Sequence, residues 1–338
     1  MAHDAIPGTG NYFELTFADL PTFGKAPIAT PADLAGADLG VLGVPFDTTS
    51  PRRPGARRGP REIREESMFF HELWNPLETP IEGRNVQGAR RKERMRIVDC
   101  GDTTIFPFDV LKTKAQIREA AGAIARETFL MVLGGDHYVQ YPAYQGVCDA
   151  HPGKKIGIVQ IDAHDDTVDD DPVMGSEWCG TNIQRSIEHG GITDGALAMI
   201  GLHGFTEAER IHHHRDAETC VIEIEECRDI GMAAAAEKAM KSVLRHCDLV
   251  YLTIDIDAGD PSIAPGCSAP HPGGFLSHEF LRLVRELGRY EEIVACDLVE
   301  VAPSLDPTNT TPILAAHLLF GFIEQHFLRE TVSARAAG

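Results

Sequence analysis

Six acidic and imidazole side chains stand in three short segments, and each segment follows an apolar run. They are His137, Asp162, His164, Asp166, Asp255 and Asp257. If carboxylates gather at one place, they repel one another unless they are protonated or share cations. A ligand set rich in carboxylates with some imidazole suits manganese, and it could also take nickel, iron or zinc. The six residues therefore predict a site for two divalent metal ions.

Hydrolysis is the chemistry that such a pair of ions supports, because a water that bridges two metal ions becomes hydroxide near neutral pH. Glu300 also follows an apolar run, and its carboxylate could hold a planar guanidinium by paired hydrogen bonds or be an ordinary salt-bridged acid. Taken alone, a pair such as Asp255 and Asp257 is more often a cap or turn feature. Three such segments in order are hard to explain structurally.

Short apolar runs precede these polar groups, and most of them are continuous, as in strands buried on both faces. The runs are Leu39–Val44, Arg96–Val98, Leu130–Leu133, Ile156–Ile161, Leu197–Gly201, Leu249–Ile254 and Ile293–Val299. Segments with helical spacing lie among them, namely Lys114–Phe129, Met232–His246, Ser277–Tyr290 and Thr311–Phe327. Strands that alternate with helices predict an α/β fold with a parallel sheet covered on both sides. Ligands gather at the carboxyl ends of such strands, where the candidate residues stand.

Two local conformations are predicted around the metal ligands. Asp255 and Asp257 are two residues apart in a strand-like segment, so their side chains should point to the same side, about 6.6 Å apart at Cα. Gly134 and Gly135 allow a tight turn that presents His137.

The chain has 338 residues and a formal net charge of -20, which suits one large soluble domain. That charge argues against nucleic acid or an anionic membrane as a partner and weakly favours a cationic substrate. We expect an N-terminal arm over 1–35 that packs on a neighbouring subunit, a single catalytic domain over 36–330 and a C-terminal tail over 331–338. The polar stretch Gly83–Arg94 is predicted to be a surface loop.

Localisation is predicted from features that the sequence lacks. No apolar run approaches the roughly 20 residues that span a bilayer, and the first residues do not resemble a secretory signal. None of the eight cysteines forms a C-x-x-C pair. Reduced thiols of this kind are typical of a cytoplasmic protein, and we expect that location.

The motifs resemble those of the ureohydrolase family, which contains arginases, agmatinases, guanidinobutyrases and formimidoylglutamases. Three segments are similar to the family signatures: Gly134-Gly135-Asp136-His137, Asp162-Ala163-His164-Asp165-Asp166 and Asp255-Ile256-Asp257-Ala258-Gly259-Asp260-Pro261. Further segments resemble the agmatinase branch: Gly43–Asp47, Arg53–Pro60, Ile63-Arg64, Asp99–Asp102 and Asp297–Pro303. The resemblance runs from about residue 38 to 328.

This resemblance implies a three-layer α/β/α sandwich with a central parallel sheet of about eight strands. It implies two divalent metal ions, manganese by family with nickel possible, and a homotrimer or hexamer that could include a paralogous subunit. One ion would take His137, Asp162, Asp166 and Asp255. The other would take Asp162, His164, Asp255 and Asp257. The implied reaction is attack of the bridging hydroxide on the guanidinium carbon of a small guanidino compound, which releases urea and an amine.

The chain departs from the family pattern on the substrate side. Cys179-Gly180-Thr181 stands where H-G-T is usual, His203 ends a segment that usually reads I-G-x-R, and 264–274 differs from A-P-G-T-G-x-P-E-P-G-G at Cys267, Ser268 and His271. We predict altered specificity toward a small guanidine, an alkylguanidine or a biguanide such as metformin. The predicted catalytic residues are Asp166, Glu300 and Cys179. The predicted substrate contacts are Glu300, Trp178, Cys179, Thr181 and His203.

Several alternatives stay open at this point. The acidic run Asp169-Asp170-Asp171 could meet a cationic tail such as that of agmatine, or it could be a solvated loop. Trp178 could close a small pocket or pack in the core. The chain could also be a non-catalytic or partner-dependent subunit of a hetero-oligomer, although such a subunit should lose metal ligands and this chain keeps all six. A deacetylase on the related fold is disfavoured because the two-metal set is complete.

Overall fold

The computed structural model describes residues 20–70, 95–190, 193–204, 214 and 218–327. One sheet of eight strands runs through this part of the chain, and every neighbouring pair is parallel. The strands are β1 Leu39–Gly43, β2 Ile97–Asp102, β3 Phe129–Leu133, β4 Ile156–Ile161, β5 Leu197–Leu202, β6 Cys220–Glu223, β7 Leu249–Asp255 and β8 Ile293–Val299. Their order is β2-β1-β3-β8-β7-β4-β5-β6. The predicted central parallel sheet of about eight strands is therefore confirmed.

Helices cover both faces of the sheet. They are α1 Pro31–Leu34, α2 Gly59–Ser67, α3 Val110–Ala125, α4 Gln140–Ala150, α5 Asn182–Gly190, α6 Ile224–Ile230, α7 Met232–Val243, α8 Ser277–Leu287 and α9 Thr310–Phe327. Alternate residues of β4 show the layering, because Val159 and Ile161 pack in one apolar core with α2 and α6 to α9, while Ile158 packs in the other with α3 to α5. Within the described residues, none of these helices has both the length and the hydropathy needed to cross a membrane.

The strands that precede the candidate residues are the four at the centre of the sheet. In the order β3-β8-β7-β4 they are direct neighbours, and all four are parallel. Because parallel strands end at the same edge, the residues after Leu133, Val299, Asp255 and Ile161 share one rim. This placement brings together segments that lie far apart in the chain.

Most predicted elements match the observed ones, with differences at the ends. The segments Ile156–Ile161 and Ile293–Val299 match β4 and β8 residue for residue. The predicted helix over Lys114–Phe129 is wrong at both ends, because α3 begins at Val110 and Phe129 already belongs to β3. Asp109 accounts for the earlier start, since its side chain accepts a hydrogen bond from the backbone N–H of Lys112 over 2.9 Å. The short edge strand β6 was not predicted.

The described part of the predicted N-terminal arm packs on its own domain. Phe23 is fully buried, and its ring stacks on Phe320 of α9 at 4.9 Å. The backbone N–H of Ala29 donates to the carbonyl of Asp99 over 2.7 Å, which ties the segment to β2. The predicted contact with a neighbouring subunit stays a prediction. Residues 1–19, the predicted surface loop 83–94 and the tail 331–338 lie outside the described residues.

Candidate metal centre

The turn after β3 presents His137 to the rim. Gly135 lies directly against the backbone of Phe46, and a Cβ at this position would overlap the Phe46 carbonyl. Neither Gly134 nor Gly135 is among the described residues with a positive φ. Gly135 is therefore needed for close approach of two backbone segments and Gly134 for space beside the Val299 side chain, whereas the sequence suggested a turn that requires their conformational freedom.

The turn after β7 separates two of the candidate acids. The strand ends at Asp255, and Asp257 lies in a short 3-10 turn, Ile256–Ala258. Asp255 Oδ1 accepts a hydrogen bond from the backbone N–H of Asp257 over 2.8 Å. The prediction that both acids lie on one strand with parallel side chains is wrong, because the chain leaves the extended conformation at Asp255. The turn carries Asp257 toward His164 instead.

Four predicted ligands meet at the imidazole of His137. Its Nδ1 atom lies 2.9 Å from Asp166 Oδ2, 3.0 Å from Asp162 Oδ2 and 3.2 Å from Asp255 Oδ2. The side chain of His137 is 1% exposed. These four residues form what we call the first ligand group.

A second group forms around His164. Its Nδ1 atom lies 3.1 Å from Asp257 Oδ2 and 3.4 Å from Asp162 Oδ1. Asp162 thus directs one carboxylate oxygen to each histidine. We call His164, Asp162 and Asp257 the second ligand group. The predicted sharing of Asp255 between two ions stays a prediction, because Asp255 lies in the first group by these distances.

The electrostatics of the first group show how crowded its charges are. Burial and the neighbouring Asp162 raise the pKa of Asp166 to about 7. Burial, Asp257 and Asp162 raise the pKa of Asp255 well above its ordinary range. Burial opposes protonation of His137, but hydrogen bonds with three carboxylates outweigh it and raise its pKa. Without cations, this cluster must hold protons that its carboxylates would otherwise lose.

These residues fit divalent cations. In each group, one ligand atom from each of three residues lies within 4.8 Å of the others, namely His137, Asp162 and Asp255 in one and Asp162, His164 and Asp257 in the other. The Nδ1 atom of His137 is buried and faces three carboxylate oxygens, to which an imidazole without a hydrogen on Nδ1 cannot donate. A buried nitrogen that faces only carboxylates is satisfied either by a proton or by a metal ion. Carboxylate and imidazole ligands of this kind suit manganese or nickel.

Two site residues have strained backbones. Asp166 has a φ of 49° and Glu300 has a φ of 64°, both in the left-handed region that side chains other than glycine rarely adopt. Such conformations persist only where surrounding structure holds them, and they cluster at functional sites. The sequence carries no signal of this strain.

Glu300 lies directly after β8 and touches the first ligand group. Its Oε1 atom accepts a hydrogen bond from the backbone N–H of His137 over 2.9 Å. Its Oε2 atom is buried and has no partner in normal hydrogen-bond geometry among the described residues, although the Ser268 side chain lies close enough to the carboxylate to lower its pKa. Burial raises the pKa of Glu300 to about 7. One oxygen is therefore fixed, and the other is available to a ligand.

The loop over 176–182 contributes the predicted substrate-side residues. Cys179 is half-buried, and loss of solvent around its thiol together with nearby Glu300 raises its pKa well above the ordinary range. Trp178 lies over Gly180, and its indole nitrogen is buried without a partner among the described residues. Thr181 is fully buried, and its hydroxyl lies 3.0 Å from the Ser176 carbonyl and 2.8 Å from the Trp178 carbonyl, so its one hydrogen is used within its own loop. Contact of these residues with a substrate stays a prediction.

His203 lies directly after β5 and contacts His271, and both residues differ from the usual family sequence. Its Nδ1 atom is 2.7 Å from the carbonyl of Gly201, and its Nε2 atom is 3.3 Å from the carbonyl of His271. His271 in turn packs edge-on against His164 at 4.9 Å between ring centroids. Two departures that are far apart in the chain are thus neighbours beside the second ligand group.

Two residues of the acidic run 169–171 form an ion pair and hydrogen bonds with nearby residues. Asp169 forms an ion pair with Arg185 of α5. Asp171 Oδ1 accepts hydrogen bonds from the backbone N–H groups of Val173 and Met174, over 2.8 and 2.9 Å. These contacts favour the interpretation of the run as a surface loop.

Several buried polar residues at or beside the predicted ligands were not identified from the sequence. Gln160 donates to Asp162 Oδ2 over 2.7 Å, and Asp136 accepts from the Thr49 hydroxyl over 2.6 Å. Thr253 and Asp297 lie behind His137 and are hydrogen-bonded to each other over 2.6 Å. Each is a polar residue within or beside an apolar strand, and this signal could have found them.

Comparison with known proteins identifies the family. The model of the arginase family matches residues 37–323. The agmatinase of Chromobacterium violaceum is 33% identical over 91% of this chain and 89% of its own length. The guanidinobutyrase of Pseudomonas aeruginosa is 31% identical over 90% of this chain and 91% of its own length.

A solved structure supports the same relationship. The proclavaminate amidinohydrolase of Streptomyces clavuligerus matches with a TM-score of 0.79 and 29% identity, over 92% of this chain and 98% of that chain. By sequence the same named enzyme is 30% identical over 92% of this chain. The match to the family model and these relatives, together with the ligand groups at the rim, show that the chain belongs to the arginase family and is a hydrolase of carbon–nitrogen bonds in linear amidines.

Proposed function

We propose that the chain uses two divalent metal ions to hydrolyse a small guanidino compound to urea and an amine. The observation that carries this proposal is the position of Asp162, whose oxygens lie 3.0 Å from His137 Nδ1 and 3.4 Å from His164 Nδ1. A carboxylate shared in this way supports two adjacent cation positions, held by the six predicted ligands His137, Asp162, His164, Asp166, Asp255 and Asp257. Bound ions would supply Lewis-acid chemistry that makes water a nucleophile near neutral pH.

The protein's own residues would orient the substrate and move the proton. Glu300 Oε2, buried and without a partner among the described residues, would accept a hydrogen bond from a guanidinium N–H group. The hydrogen bond from the His137 backbone keeps the other oxygen in place. Asp166 borders the same space, and its carboxylate would take up the proton that the attacking water loses. Burial of these groups excludes bulk water and strengthens their interactions with a cation.

We propose a small guanidine, an alkylguanidine or a biguanide such as metformin as the substrate, in preference to agmatine. Support comes from Asp169 and Asp171, which interact with Arg185 and with the backbone of their own turn, as expected for a surface loop and not for a binding site for a cationic tail. The half-buried Cys179 thiol and the Trp178 ring suit a compact, partly apolar substrate. Manganese is the proposed metal because the family uses it, and nickel is the second choice.

The proposed location is the cytoplasm, and the proposed assembly is a trimer or hexamer. All eight cysteines are free thiols, which suits a reducing compartment. Light scattering on the purified protein would give the assembly. A stable monomer that is active would contradict the proposed assembly.

Urea release tests the proposed reaction. Protein loaded separately with manganese and with nickel is assayed with agmatine, arginine, guanidinobutyrate, guanidine, dimethylguanidine and metformin. We expect urea from one of the last three, and we expect Asp255→Asn to abolish it. Urea from agmatine alone would reject the proposed substrate class. If both ions are shown to bind and no member of the panel yields urea, the reaction proposed for this chain is wrong, and a role as a partner-dependent subunit is favoured.

A further inference from the structure

A line of hydrogen bonds leads away from the metal side of His137 into the core. His137 Nε2 lies 2.8 Å from Thr253 Oγ1. The Thr253 hydroxyl lies 2.6 Å from Asp297 Oδ1 and donates to it, and the Tyr251 hydroxyl donates to Asp297 Oδ2 over 2.8 Å. All four side chains are buried, and those behind the histidine are fully so. We call this line the Asp297 relay.

The direction of each hydrogen bond in the relay follows from counting hydrogens. An ionised carboxylate only accepts, and both oxygens of Asp297 face hydroxyl groups. A threonine hydroxyl has one hydrogen, and Thr253 donates it in the hydrogen bond to Asp297. Thr253 Oγ1 can therefore only accept from His137, so the hydrogen of the neutral imidazole must lie on Nε2. The lone pair is then on Nδ1, the atom that faces Asp162, Asp166 and Asp255.

We propose that Thr253, oriented by Asp297, is a positioning residue that holds His137 in the Nε2–H tautomer and thereby sets the metal affinity of the first ligand group. The inference rests on the proposed two-metal function. A histidine that is not held would divide its hydrogen between two nitrogens and rotate about χ2, so part of its population could not bind a cation. Partners of this kind typically change metal affinity by about 10-fold to 100-fold.

The second ligand group has a different environment. The side chain of His164 is 21% exposed, and its ring packs edge-on against His271 at 4.9 Å. Gln160 lies beside it and donates to the His164 carbonyl over 3.3 Å and to Oδ2 of Asp162, the residue that both groups share, over 2.7 Å. The Asp297 relay does not reach this group. Loss of the Thr253 hydroxyl should therefore weaken one ion and spare the other.

Three variants of the metal-free protein test the proposal by manganese binding in equilibrium dialysis. Thr253→Val keeps the shape and removes the hydroxyl, and we expect one of two dissociation constants to rise about 10-fold to 100-fold. Thr253→Ser restores a hydroxyl and should bind both ions with nearly normal affinity. Tyr251→Phe is the matched control, since it removes a hydrogen bond from Asp297 at equal burial without touching the bond to His137, and it should retain both ions. Thr253→Val with two unchanged dissociation constants would overturn the inference.

A measurement on the unaltered protein keeps the test independent of folding in the variants. In ¹⁵N-histidine NMR spectra of the zinc-loaded protein, the signal that disappears in His137→Asn belongs to this ring. It should show a hydrogen on Nε2 and none on Nδ1. A hydrogen on Nδ1 would overturn the inference. If the unaltered protein binds no manganese or zinc at all, the proposed two-metal function fails and the inference with it, whereas normal binding in Thr253→Val rejects the inference alone.

Discussion

The backbone N–H of His137 donates a hydrogen bond to Glu300 Oε1 over 2.9 Å, although 163 positions separate the two residues in the chain. His137 is the centre of the first ligand group, and Glu300 carries the buried free oxygen proposed for the substrate. Parallel neighbours β3 and β8 end side by side, which makes this contact possible. One hydrogen bond therefore fixes the position of Glu300, the proposed substrate residue, relative to His137, the proposed metal ligand.

Glu300→Gln should reduce kcat/KM for urea release by about 100-fold or more, because the amide cannot offer a charged acceptor to a guanidinium. The amide oxygen can still accept the bond from His137, so metal content should stay at the wild-type value. Glu188→Gln, on the surface of α5, is the control for a lost carboxylate elsewhere. A variant that keeps more than about one-tenth of the activity would show that Glu300 is not the guanidinium partner.

Cys179→His should shift relative activity toward agmatine or guanidinobutyrate, because it restores the residue usual in the family at a half-buried position near Glu300. The measurement is the ratio of kcat/KM values across the substrate panel. Cys179→Ser controls for loss of the thiol at nearly constant volume and should leave that ratio close to normal. An unchanged profile in the histidine variant would remove Cys179 from the specificity argument.

After its metal ions are removed with a chelator, the protein should become less stable as the pH is raised from about 4 to about 7. Burial, with Asp162 beside Asp166, raises the pKa values of Asp166 and Glu300 to about 7 from ordinary values of 3.8 and 4.5. A raised carboxyl pKa means that the folded state holds the proton more tightly, so its stabilising effect is complete below the ordinary pKa and is lost as the pH climbs to the folded value.

Thermal unfolding of the chelated protein across that pH range measures this effect. We expect the melting temperature to fall by several degrees, and we expect manganese to raise it most at the upper end, since cations replace the missing protons. The same scan after manganese is restored is the control. A melting temperature that holds steady or increases from pH 4 to pH 7 in the chelated protein would contradict the crowding of carboxylates at the rim.

Gly135→Ala should destabilise the protein by about 3 kcal/mol or more, because the added methyl group overlaps the Phe46 carbonyl and the backbone must move. The measurement is chemical unfolding of the metal-free protein. Gly153→Asn is the matched control, since Gly153 has a φ of +80° in open space and asparagine tolerates that conformation. Equal stability of the two variants would show that the contact with Phe46 relaxes easily.

Sequence patterns were sufficient for the sheet and for the family. Continuous apolar runs such as Ile156–Ile161 predict buried parallel strands, and β4 has these bounds. The order of motifs led to the arginase family, which the family model over 37–323 confirms. Both succeed because strand burial and ligand chemistry are written in consecutive residues, where side-chain type and spacing carry the information.

Other features depend on residues that meet across the fold. Asp257 leaves the strand, Asp166 and Glu300 adopt strained backbones, and Thr253 reaches Asp297 on the next strand. No local pattern encodes these arrangements, because each depends on which strands are neighbours and on what the surrounding core allows. The types of the ligands are thus readable along the chain, whereas their grouping around His137 and His164 follows from the order β3-β8-β7-β4, which packing of the whole sheet establishes.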